Sequence, residues 1–237
     1  MNPLAIFTSK LLITRLATVV LIPVGLVAAD YDDAGQSAYY DGWQLYDDGS
    51  LEPGGLGGWV FDEASVVHGQ NIDIASSAGS PGDESIDTRG VAFKLHDTQG
   101  KYLELYRFFD PDGLKTNESF TLELSINGEM GYQGMDLRNN DNQTIFNFNG
   151  GKGSFKVDKA DTGNETLDVD HVARAIFLLE FHQSSEDGGR WSIRQRGKPG
   201  ELARGRYAGV ARSIKLYGGD QKRNAAGAMY FNRMEIR

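Results

Sequence analysis

Residues 120–126 carry the cleanest alternation in the chain. Phe120, Leu122, Leu124 and Ile126 fall on one side, and Thr121, Glu123 and Ser125 on the other. A period of two sends successive side chains to opposite faces of a strand, so the pattern predicts a half-buried antiparallel strand. Related patterns predict strands at 58–61, 66–74, 91–95, 102–109, 132–138, 144–148, 154–157, 190–194, 214–217 and 229–236. In 102–109, Leu103 and Leu105 stand opposite Tyr102, Glu104 and Tyr106. In 190–194, Trp191 and Ile193 point inward, while Arg190, Ser192 and Arg194 point outward. Residues 172–181 have enough apolar content for a helix. Phe177, Leu179 and Phe181 alternate with Ile176, Leu178 and Glu180, however, and the β-rich context favours a buried strand. Turn signals separate these runs. Asp110-Pro-Asp-Gly113 combines a preset φ with a glycine, Asn127-Gly128 reads as a hairpin turn, and glycines cluster at 150–153 and 188–189. The expected architecture is all-β, a two-sheet antiparallel sandwich of about a dozen short strands.

Composition narrows this picture. The chain has 237 residues, with 30 glycines, 6 prolines and no cysteine. Glycine suits many turns, and the lack of cysteine excludes thiolate zinc sites, cysteine nucleophiles, iron–sulfur clusters and disulfides. Residues 1–29 read as a cleaved export signal. Lys10 and Arg15 precede a twelve-residue apolar run at 16–27, and Val27, Ala28 and Ala29 are small residues ahead of Asp30. That run falls short of the roughly 20 residues that span a bilayer. The remaining 30–237 read as one domain, exported to the periplasm, the cell surface or the medium, with no later membrane segment. Charge is unevenly placed. Residues 30–189 hold 10 basic and 30 acidic side chains, a net of −20, and 190–237 hold 12 and 3, a net of +9. Either the C-terminal strands interleave with acidic ones, or they form a basic face for an anionic polysaccharide. An exported acidic chain argues against nucleic acid.

The densest segment is 39–59, with glycines, acids and aromatics pinning Trp43 and Trp59. Its Tyr-x-Asp-Gly-Trp-Gln motif at 39–44, Asp47-Asp-Gly49 and Gly-x-Trp at 57–59 resemble the opening of a poorly characterised jelly-roll family. That family occurs in bacterial secreted and surface proteins and is of the concanavalin-like lectin/glucanase type. The resemblance continues through Ile86-Asp-Thr-Arg-Gly90, Arg107-Phe-Phe109, Gly134-Met-Asp-Leu-Arg-Asn139, Phe146 to Gly151, and a Tyr-Phe-Asn ending at 230–232. It implies the sandwich fold and export, and leaves activity open. The chain departs from the pattern at Ser50, where several members have glycine, and at Ala228-Met229, where many carry an acid.

Candidate chemistry is sparse. The paired-carboxylate strand pattern of sandwich glucanases is absent; the acids of 83–87 lie in a turn, and those of 118–123 lie on a solvent face. Tyr102, Arg107, His182, Arg190 and Arg194 supply the residue types of a polysaccharide lyase, without its Gln-x-His triplet. Calcium, which takes six to eight oxygens, finds its best candidates in Asp41, Asp47 and Asp48. Sugar binding calls for exposed aromatics beside planar polar groups; Tyr46 and Tyr207 lie in loop-like sequence, and His182, Arg190 and Arg194 lie on polar strand faces. Trp43, Trp59 and Trp191 are read as core. The expected function is a non-catalytic domain that binds glycan or belongs to the cell surface. A glycanase or lyase, and a purely structural envelope protein, are the alternatives.

Overall fold

The computed structural model describes residues 30–49, 55–96, 102–109, 111–128, 131–151, 153–158, 167, 169–219 and 227–237. Residues 1–29, which the sequence pattern assigns to an export signal, residues 97–100 and most of the acidic stretch 158–170 lie outside them. The described residues form fifteen strands: β1 (Asp30–Asp32), β2 (Leu56–Phe61), β3 (Ile72–Ala75), β4 (Ala92–Leu95), β5 (Tyr102–Phe109), β6 (Ser119–Ile126), β7 (Tyr132–Arg138), β8 (Thr144–Gly151), β9 (Ser154–Asp158), β10 (Val169–Asp170), β11 (Ile176–Ser185), β12 (Gly188–Gln195), β13 (Ala203–Ala208), β14 (Ser213–Gly219) and β15 (Met229–Ile236). They build two antiparallel sheets. One runs β13-β12-β11-β6-β15-β4-β3, with β1 also on β15; the other runs β10-β9-β8-β7-β14-β5-β2.

The predicted sandwich is therefore the observed fold, and its core is the set of inward positions that the alternation marks. Phe120, Leu122, Leu124 and Ile126 of β6 are fully buried. Rings from the two sheets meet between the layers. Phe109 packs on Phe120 at 4.8 Å between centres, Phe146 on Phe181 at 4.9 Å, and Phe148 on Phe177 at 5.1 Å. Aromatic pairs at these distances add to the stabilisation that comes from area burial alone.

Five local readings need correction. Asn127-Gly128 is no hairpin, because β6 and β7 belong to different sheets and the chain crosses between them there. Residues 188–189 belong to β12, and the turn lies at 186–187. Only Ile72–Ala75 of 66–74 is a strand. Residues 203–208 form β13 rather than a loop. Asp30–Asp32, where the sequence pattern predicts no strand, pairs with β15, with Asp30 opposite Ile236 and Asp32 opposite Met234.

The acids of β1 are tolerated because β5 and the 39–59 ribbon supply partners. Asp32 and Arg107 are both wholly buried and form an ion pair. Arg107 also reaches Asp48 at 2.8 Å and lies 5.1 Å from the Trp59 ring centre. The Tyr39 hydroxyl donates to Asp32 Oδ2 at 2.7 Å, and it accepts from the Gly49 amide and from Trp59 Nε1, each at 3.2 Å. Trp43, Trp59 and Trp191 are buried, and Trp43 packs edge-on to Trp59 at 5.0 Å. The ribbon thus locks the first strand, the last strand and β5 together.

Candidate functional site

The outward positions of the β5–β14–β7–β8–β9 sheet make a connected polar surface. Each strand contributes by alternation: Tyr102, Glu104 and Tyr106 from β5, Lys215 and Tyr217 from β14, Asp136 from β7, Asn147 and Asn149 from β8, Lys156 and Asp158 from β9. Register brings them side by side. Lys215 faces Tyr106 on β5 and Asp136 on β7, and Tyr217 faces Glu104 and Gly134. Gly134 is needed for this arrangement. A Cβ there would sit 2.6 Å from the Tyr217 hydroxyl and 2.3 Å from the Phe148 carbonyl. The bare backbone lets the Tyr217 ring lie across β7 and reach Asn147. The result is an open groove of about 620 Å³, lined in part by Tyr102, Tyr132, Asp136, Asn147, Asn149, Lys156, Lys215 and Tyr217.

Its centre is a closed network. The Lys215 ammonium lies 3.0 Å from Glu104 Oε1 and 2.9 Å from Asp136 Oδ2. Asn147 Nδ2 donates to Asp136 Oδ1 at 2.6 Å and to the Tyr217 hydroxyl at 2.8 Å. Thr144 donates to Asp136 at 3.1 Å, and Asn149 donates to Asn147 at 2.7 Å and Asp158 at 2.8 Å. Lys215 also lies 5.3 Å from the Tyr217 ring centre and 5.8 Å from that of Tyr102. Tyr102 and Tyr132, at the rim, are about half exposed.

Burial opposes charge on Glu104, but the Tyr106 hydroxyl and the Lys215 ammonium outweigh it and hold its carboxyl below the ordinary range. Burial likewise works against the Lys215 charge, and Asp136 and Glu104 more than compensate, so the lysine stays protonated. Burial raises the Tyr102 and Tyr217 hydroxyls, and burial with the Glu104 hydrogen bond pushes Tyr106 up to about 12. These phenols hold their protons at neutral pH and are not bases there; Tyr106 donates to Glu104, and Tyr217 accepts from Asn147. Glu104 stays an anion, unlike a general acid, whose pKa is raised toward the working pH.

The sequence-level candidates fall elsewhere. His182, Arg190 and Arg194 come together on the outer face of the other sheet, beside a groove of about 700 Å³. Tyr207 does not join them. As an inward position of β13 it is buried, and its hydroxyl donates to Gln183 Oε1 at 3.2 Å, which corrects its reading as a loop residue open to a sugar. Tyr46 is 70% exposed on the ribbon, where Tyr40 is exposed too; it has a left-handed φ of 66° and lines neither groove. The lyase-like set does not converge, since Tyr102 belongs to the opposite sheet and Arg107 points into the core. Among the calcium candidates, Asp48 is engaged by Arg107, and Asp47 caps the Gln44 amide at 2.6 Å. Asp41 is exposed and near enough to Asp47 to raise its pKa, an effect smaller than that of burial. Among the described residues no group of three or more His, Asp or Glu side chains is placed to hold a metal ion. No described helix is long and apolar enough to cross a membrane.

No protein-family model matches the chain, and no curated protein matches it. Solved structures align with it at low identity. A carbohydrate esterase from a Shiga toxin-encoding bacteriophage aligns at 13% identity over 76% of this chain and 89% of its own, with a TM-score of 0.46. An alginate lyase from Corynebacterium sp. aligns at 8% identity over 68% and 83%, with a TM-score of 0.43. A sialidase aligns at 12% identity over 70% of this chain, with a TM-score of 0.44; this chain spans only 17% of the sialidase's length. At these identities and scores the neighbours assign no function to the chain.

Proposed function

We propose that this is an exported β-sandwich that binds a glycan across the outer face of its β5–β14–β7–β8–β9 sheet. Export rests on the character of residues 1–29. Binding rests on one observation: the half-exposed rings of Tyr102 and Tyr132 share an open groove with the planar amides of Asn147 and Asn149. A sugar ring presents apolar C–H faces and a rim of hydroxyls. Aromatic faces suit the first, and fixed amides and an ammonium suit the second. The network is already hydrogen-bonded, so a ligand meets oriented groups with little left to order. The same observation weighs against a purely structural role, because the face is polar and open rather than filled with apolar side chains.

An enzyme on the same face is the second reading. It is favoured by one feature, the convergence of Glu104 and Asp136 on a single ammonium. The protonated phenols and the lowered Glu104 favour binding over catalysis.

An oligosaccharide array followed by calorimetry, each with and without EDTA, tests the proposal. Folded wild-type protein should retain a glycan, and Tyr102→Ala should bind it about tenfold more weakly or worse, the loss of one stacking contact and its ordered neighbours. No retained glycan sinks the reading. Shortened or unsaturated products accumulating in the same mixtures move the assignment to the enzyme. Equal binding with EDTA present removes calcium from the site.

A further inference from the structure

The opposite face of the sandwich holds an arrangement that the tyrosine-lined groove does not explain. Antiparallel register sets Arg190 of β12 directly opposite Arg206 of β13 on one side and His182 of β11 on the other. Arg204 lies opposite Ser192, two residues along. Like charges directly opposed on neighbouring strands destabilise a sheet. Several other C-terminal cations are neutralised. Arg196 and Arg233 flank Glu123 at 2.6 and 3.1 Å, and Lys215 bridges Glu104 and Asp136. The side chains of Arg190 and Arg206 have no ion pair or hydrogen bond among the described residues. Arg194 and Arg204 have only loose ones, at 3.7 to 3.9 Å, to Glu180 and Glu201.

We propose that this arginine face binds a carboxylate-bearing polysaccharide. Each guanidinium presents a planar fork that matches a carboxylate with two parallel hydrogen bonds. The strands space these forks regularly, about 4.8 Å across the sheet and about 6.6 Å between alternate residues along a strand. A polymer with a charge on successive rings meets such a grid repeatedly, and the groove of about 700 Å³ beside it leaves room for the chain. β13 is an edge strand, so the face opens to one side. A membrane surface fits less well. Interfacial binding needs apolar side chains to enter the lipid, and no exposed large hydrophobic residue among the described residues lies on β11, β12 or β13. This inference stands independently of the tyrosine-lined groove, which lies on the other sheet.

Interferometry on immobilised polygalacturonate, at low ionic strength, tests it with wild type, the double variant Arg190→Gln/Arg206→Gln, and Tyr102→Ala. Wild type should bind and be released by about 0.5 M salt. The double variant should bind about tenfold more weakly or worse, and Tyr102→Ala should bind like wild type. The double variant should keep or raise its thermal midpoint, since it relieves an opposed charge pair. If it does not fold, Arg194→Gln/Arg204→Gln should show the same weakening. The proposal is overturned if folded wild type passes unretained, or if every folded arginine variant binds as tightly as wild type. It is equally overturned if dextran sulfate is held and polygalacturonate is not, or if phosphatidylglycerol vesicles are bound as tightly and with the same dependence on these arginines.

Discussion

Asp32 is the residue whose chemistry departs furthest from its sequence appearance. It is wholly buried against Arg107 and Tyr39, yet desolvation outweighs the attraction of Arg107 and the Tyr39 hydrogen bond, and its pKa rises from 3.8 to about 6. The folded carboxyl therefore binds its proton more tightly than the unfolded one. Folding takes up a proton between about pH 4 and pH 6, and stability falls as pH rises through that window, by up to about 3 kcal/mol. Two substitutions should respond with opposite signs. Asp32→Asn keeps the shape and removes the buried charge while Arg107 retains Asp48. It should gain on wild type as pH rises from 4 to 7. Arg107→Met strands the Asp32 carboxylate and should cost about 3–5 kcal/mol at pH 7, and less at pH 4, where the carboxyl is protonated. Urea unfolding at the two pH values measures both. Parallel pH profiles for the three proteins would contradict the assignment.

At the level of elements, β15 shows what the chain pattern discloses and what it hides. Its apolar positions are Met229 and Phe231, then Met234 and Ile236, so the alternation slips by one residue at Asn232-Arg233. The structure places a bulge there, with Arg233 at a left-handed φ of 52°, as an extra residue in one strand of a pair requires. The bulge turns Asn232 inward, where it is wholly buried. It accepts from the Ala34 amide at 2.9 Å and donates to the Ile86 and Val91 carbonyls at 2.9 and 3.1 Å. Asn232→Ala should cost about 3 kcal/mol, because buried backbone groups lose their partner. Asn232→Asp should cost more at neutral pH, since a carboxylate would face two carbonyl oxygens; urea midpoints of the three proteins decide the order. The motifs behind the family resemblance are explained in the same way. Tyr39, Trp43, Trp59, Arg107 and Asn232 are buried clamp residues, so they announce the fold and leave function unstated. The alternation also placed Tyr102, Glu104 and Tyr106 on one outward face. It could not bring Lys215, Asp136 and Asn147 to them, because a period of two assigns a face and not a neighbour, and these strands are far apart in the chain. β13 escaped for a related reason: Arg204, Gly205 and Arg206 lack the apolar beat of a strand, and the single inward ring, Tyr207, reads as a loop residue.

Across the whole molecule, the uneven charge of the sequence resolves into two surfaces of different physics. Much of the C-terminal positive charge is interleaved with acids, through Glu123, Glu104, Asp136 and Glu235. Arg190, Arg194, Arg204 and Arg206 gather on β12 and β13. One face thus offers tyrosine rings and amides around a neutralised lysine, and the other offers guanidinium groups that, among the described residues, are unpaired at Arg190 and Arg206 and only loosely paired at Arg194 and Arg204. Salt separates these two mechanisms. At about 0.5 M the Debye length shrinks to roughly 4 Å, shorter than the spacing of about 4.8 to 6.6 Å between neighbouring guanidinium groups, so an approaching polyanion no longer feels their summed field, while stacking and neutral hydrogen bonds are little affected. Raising salt from about 0.05 to 0.5 M should therefore abolish binding of a polyuronate and leave binding of a neutral oligosaccharide within about twofold. Arg190→Gln/Arg206→Gln should remove only the salt-sensitive component, and Tyr102→Ala only the salt-insensitive one. If one substitution removes both components, the two ligands share a single site.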